Sequence, residues 1–120
     1  MQSSLKPILF AASLLTSLSA MAECTAPDQP TLPDGASSTM DEMIAGQKAV
    51  KAFQADAQAY RACLDEAIES LRSAAADGDE AAAESFAAQT DAYNASVATE
   101  EEVANNFNAQ IRAYKEANAS

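Results

Sequence analysis

From Thr39 to Ala117 the apolar positions recur at alternating steps of three and four. In the first half the stripe runs Met43, Gly46, Val50, Phe53, Ala57, Tyr60, Leu64, Ala67, Leu71 and Ala74. In the second it runs Ala83, Phe86, Thr90, Tyr93, Val97, Glu100, Ala104, Phe107, Ile111 and Tyr114. This is the period of a helix that buries one face along its whole length. Alanine, glutamate, glutamine and lysine fill the positions between, and these lose little side-chain entropy in a helix. Thr39-Met40-Asp41-Glu42 reads as a capping box, with Thr39 as N-cap and Glu42 reaching back. Asp77-Gly78-Asp79 reads as a break: Gly78 can take the left-handed conformation and Asp79 can cap a second helix. The pattern therefore predicts helix one over about 39–76, a turn over about 77–79 and helix two over about 80–117. Charge agrees with the two dipoles: Asp41 and Glu42 open the first helix and Arg72 closes it, while Glu80 and Glu84 open the second and Arg112 and Lys115 close it.

Folding the chain at Gly78-Asp79 brings the stripes into one register. Leu71 meets Phe86, Leu64 meets Tyr93, Tyr60 meets Val97, Phe53 meets Ala104, Val50 meets Phe107 and Met43 meets Tyr114. Large residues face small ones across much of this seam, as interdigitating packing requires. Each helix would be ~55 Å long at 1.5 Å per residue. Much of each stripe is alanine, which removes little apolar area from water, so a bare two-helix seam is marginal against the entropy of ordering the chain. Something else must cover it: the preceding segment, a second copy or another protein.

That preceding segment, 23–38, differs in kind. Pro27, Pro30 and Pro33 fall at intervals of three, which is one face of a polyproline II helix, and Asp34-Gly35 supplies a turn. Cys24 opens the segment and Cys63 lies midway along helix one. From Cys24 to Asp34 the extended chain spans ~31 Å, and from Thr39 to Cys63 helix one climbs ~36 Å. The lengths match well enough for the segment to fold back as a strap with a Cys24–Cys63 disulfide at its end. The blander alternatives are a flexible linker and two separate thiols, one buried in the helix and one reactive near the terminus. Closing residues 25–62 into a loop would contribute ~3–4 kcal/mol by restricting the unfolded chain.

Residues 1–22 read as an export signal. Lys6 is their only charge, Pro7 to Ser19 is a short apolar run, and Ala20-Met21-Ala22 fits a signal-peptidase site. The run is shorter than the ~20 residues of a membrane span, and no second apolar segment comes after it. Cleavage near Ala22 would leave a periplasmic or secreted protein without a membrane span, in a compartment where two cysteines tend to be bonded. It would also move the net charge from −11 to −12, since Lys6 leaves and no acid does. Such a balance argues against nucleic acid and anionic lipid surfaces, and serves solubility.

The chemistry the residues can support is limited. There is no histidine and no tryptophan. Nucleophilic catalysis lacks its usual base, zinc lacks imidazole and free thiolate pairs, and no cofactor motif is present, so no catalytic residue, metal ligand or cofactor is assigned. Glu100 falls on the apolar seam opposite Ala57, where it is expected to pair with Arg61 or Arg112. Glu100-Glu101-Glu102 reads as a solvated face, because a helix splays consecutive residues around its circumference. Asn94-Ala95-Ser96 matches a glycosylation sequon, taken as chance because the style of the export signal suits a bacterial periplasm.

Several short motifs occur in a set order: Cys24-x-x-Pro27-x-x-Pro30-x-x-Pro33-Asp34-Gly35, then Glu42-Met43, Gln47-x-x-Val50-Lys51-x-Phe53, Tyr60-Arg61-x-Cys63-Leu64 and Phe107-Asn108-x-x-Ile111-Arg112-x-Tyr114-Lys115. Together they resemble a family of small exported helical proteins of proteobacteria. The resemblance implies compartment and fold class, and no activity. The expectation is an all-α protein: a long antiparallel two-helix hairpin, coiled-coil-like, with an N-terminal polyproline-type strap tied by one disulfide. Its expected role is non-enzymatic, as a periplasmic structural or interaction module that binds a protein partner or itself. The alternative is a carrier that holds a small ligand along the aromatic seam or cations on the acidic face.

Overall fold

The computed structural model describes residues 24–120, so the export signal read in 1–22 lies outside the described residues. Two α-helices come after an extended segment: α1 (Met40–Ala76) and α2 (Glu80–Ala117), packed antiparallel, with no strand among the described residues. The Glu42 N–H donates to Thr39 Oγ1 (3.1 Å), and the Glu42 carboxylate accepts from the Thr39 N–H, so the capping box is complete. α1 ends in a Schellman-type turn. Gly78 has φ 93°, the Asp79 N–H reaches Ala74 O (3.1 Å) and the Gly78 N–H reaches Ala75 O (3.2 Å). Asp79 then caps α2 by accepting from the Ala82 N–H at 3.1 Å.

One expectation about charge does not hold. The last turn of α1 carries no basic residue. Arg72 instead pairs with Glu69 (3.1 Å) and lies over the Phe86 ring, 5.9 Å from its centroid. It sits too far from the helix end to act on the dipole, which falls off within the last turn.

The inward stripe of α1 is the one the pattern predicts, with Met43, Gly46, Val50, Phe53, Ala57 and Leu64 buried. On α2 half of the stripe is displaced by one residue. Phe86, Tyr93, Glu100, Phe107 and Tyr114 turn inward as expected. Between them, however, Ala82 is buried in place of Ala83, Val103 is more buried than Ala104, and Ser96 is half-buried while Val97 is 37% exposed. At Ser96 and Val103 the strap is the reason, while Ala82 lies at the hairpin turn, beyond the strap's reach. A two-body seam centres the buried face of α2 on α1, whereas here α2 must face both α1 and the strap. Its buried face is therefore rotated toward the strap side.

The strap supplies part of the core. Met43, Val50, Phe53, Val103 and Phe107 form a cluster, and Leu32 from the strap packs against it beside Ile111 and Tyr114. Pro27, Pro30 and Pro33 are half-buried, and Ala26, Asp28, Gln29 and Thr31 are exposed, as a three-residue repeat with one inward face requires.

Candidate functional site

The strap is held at three places. At its start Cys24 is bonded to Cys63, with Cα atoms 5.7 Å apart and the half-cystines partly covered. Toward its end Pro33 lies against Gly46: a Cβ on Gly46 would fall 2.7 Å from Pro33 Cδ and 3.2 Å from Phe107 Cε2. Next to it, Gly35 touches the main chain of α2. A Cβ there would fall 1.8 Å from the Gln110 carbonyl oxygen, and the Gly35 N–H donates to Gln110 Oε1 at 2.9 Å. The turn between strap and α1 is closed by the Ser37 N–H on Asp34 O (3.1 Å) and the Ala36 N–H on Asp34 Oδ1 (3.1 Å). Sequence reasoning assigned Gly35 only to the turn and did not single out Gln110. The signal was the pairing of two glycines with prolines, since a residue without Cβ allows another backbone or a ring to approach closely.

Arg61 and Glu100 meet across the seam. Arg61 Nη2 donates to Glu100 Oε2 at 2.6 Å and Nη1 donates to Ser96 Oγ at 3.1 Å. Their side chains are 13% and 19% exposed, so the pair is largely withdrawn from water and each charge depends on the other. Arg112 is exposed, as are Glu101 and Glu102, so only Glu100 of the acidic run turns inward. Among the described residues no group of three acids or cysteines converges as a metal site would. Asn94 is exposed in the middle of α2.

Of the recesses beside these contacts, two are walled mainly by apolar side chains. The first, of about 310 Å³, lies where the strap begins to cross the helices. Phe53, Ala57 and Tyr60 form its α1 wall, Ala92, Ala95, Ser96 and Thr99 its α2 wall, and Ala26 and Pro27 its strap wall. It exists because the α2 side of this level carries only small side chains, with Ala57 between the two rings on α1. The second, of about 360 Å³, is at the open end, between the start of α1 and the end of α2. Met40, Met43, Ile44, Phe107, Ile111 and Tyr114 line it, with Gln47 and Lys115 at its rim. Met40 is 57% and Ile44 43% exposed, which makes this the most prominent apolar surface of the described residues.

The architecture these residues define is an all-helical hairpin braced by a disulfide-tied strap. Compared with known proteins, the chain matches no family model, no curated protein and no solved structure.

Proposed function

We propose that the protein is a non-enzymatic, exported interaction module whose contact surface is the open end of the hairpin. The observation that carries this reading is the exposed apolar groove at Met40, Ile44, Ile111 and Tyr114. Apolar surface gathered in one patch favours association, whereas single exposed apolar residues do not. Export is supported by the disulfide, which persists in oxidising compartments, and by the resemblance to small exported proteins. Among the described residues no helix is long and apolar enough to cross a membrane. The partner open to direct test is a second copy. Light scattering across a concentration series should show a dimer that Met40→Ser with Ile44→Ser abolishes; a monomer throughout would contradict self-association at this end.

The recess beneath Pro27 supports a second reading, a carrier for a small apolar molecule, because Phe53 and Tyr60 wall a space at the lower end of ligand-pocket size. The cation form of that reading rests on the acidic face. Calorimetry against small apolar compounds and divalent metals separates the two, and no heat from any of them would count against a carrier.

A further inference from the structure

The groove between the helices already holds a docked segment, and the chain supplies it. Pro27 forms one wall of the recess, with Phe53, Ala57 and Tyr60 forming another. Pro33 fits the gap left by Gly46, and Gly35 rests on the backbone of α2. This is how proline-spaced segments are recognised in general: a stiff extended chain that loses little entropy lies in a groove with aromatic walls. The seat belongs wholly to the hairpin. Apart from the disulfide, the strap's covalent link to the hairpin is the Asp34–Ser37 turn and the two residues after it, in which Ala36, Ser37 and Thr39 are exposed. Of the three backbone-donated hydrogen bonds made by that turn, two are internal to it, and the third, from Gly35 to Gln110, is one that docking on another hairpin remakes.

We propose that the seat also accepts the strap of a second copy, giving a strap-exchanged dimer in which Cys24 of each copy is bonded to Cys63 of the other. Opening the turn lets the strap leave its own hairpin, and docking on the second copy remakes the same proline, glycine and Gln110 contacts. The two arrangements differ only in the hinge and in the freedom lost on association, which is why exchange of an identical element is a low-cost route to dimers. The covalent step balances without an oxidant. A small thiol attacks one Cys24–Cys63 bond, forming a mixed disulfide and releasing a cysteine thiolate. That thiolate attacks the partner sulfur on the second copy, and the reciprocal exchange expels the small thiol. Two disulfides are present before and two after. This dimer does not depend on the exposed Met40 and Ile44 of the open-end groove, so it stands or fails separately from the self-association proposed there.

The test mixes ¹⁵N-labelled and unlabelled full chain at high concentration in a thiol buffer, with helix content followed by circular dichroism. The thiol is then removed and the disulfide-linked peptides are mapped by mass. Mixed-isotope Cys24–Cys63 pairs are expected in about tenfold excess over mixed-isotope Cys24–Cys24 and Cys63–Cys63 pairs, equivalent to ~1.4 kcal/mol of selection. Their yield should rise with protein concentration. Replacing Pro27, Pro30 and Pro33 with serine should reduce the selection to chance, while Met40→Ser with Ile44→Ser should leave it intact. Only same-isotope pairs at every concentration, an unselective mixture of all three pairings, or selection that survives loss of the prolines would each overturn the proposal.

Discussion

Gly46 lies on the inward face of α1, where a helix interior normally gains from alanine. On an exposed face Gly→Ala would stabilise by ~1 kcal/mol. Here the added methyl meets the Pro33 ring at 2.7 Å, so the sign should reverse. Gly46→Ala is expected to cost about 1–3 kcal/mol, as overpacking does, read as a lower thermal midpoint. Gly35→Ala should be worse, since its methyl would enter the Gln110 carbonyl and only movement of the whole strap could relieve it. A stabilised Gly46→Ala protein would show that Pro33 does not sit where described. The Arg61–Glu100 pair yields a different kind of prediction. Arg61→Met leaves the Glu100 carboxylate largely buried without its cation, at a cost of about 1–3 kcal/mol. Adding Glu100→Met should restore part of that loss, because the unpaired charge is then gone. A denaturant-melt double-mutant cycle checks it; additive losses would mean the two charges do not interact.

At the scale of elements, the strap decides what α2 buries. The ends of both helices were legible in the sequence because caps are local: Thr39, Glu42, Gly78 and Asp79 act within a few residues of themselves. The stripe of α1 was legible because its apolar residues are large and regularly spaced. The stripe of α2 was only half legible. Alanines and polar residues flank its large side chains, so the pattern could not distinguish Val97 from Ser96 or Ala104 from Val103. The choice fell to the strap, a third body that a two-stripe alignment does not contain. The ion pair was readable as one of two options, Arg61 or Arg112, and the seam geometry selects Arg61. Gln110 could not be read, since its role depends on where Gly35 lands. The strap's dependence on its covalent end is testable. Cys24→Ser with Cys63→Ser should lose ~3–4 kcal/mol and lower the thermal midpoint by ~12–30 °C, with the helices still formed. An unchanged midpoint would mean that the extended segment is held by packing alone.

The whole molecule is a long hairpin whose thin, alanine-rich seam is completed by a proline-spaced segment folded back upon it. The hairpin contributes two stripes, the strap closes the third side, and Cys24–Cys63 fixes the far end. The measurement that tests this most directly is amide hydrogen exchange at Gly35. An amide in a glycine turn exchanges at the free-chain rate unless something covers it. The Gly35 amide, bonded to Gln110 on the far helix, is expected to be protected at least ~10-fold over the amides of the exposed residues Asp28 and Gln29, and Gln110→Ala should remove the protection. Free-chain exchange at Gly35 in the unmodified protein would contradict this, because the strap would then not be seated on the hairpin.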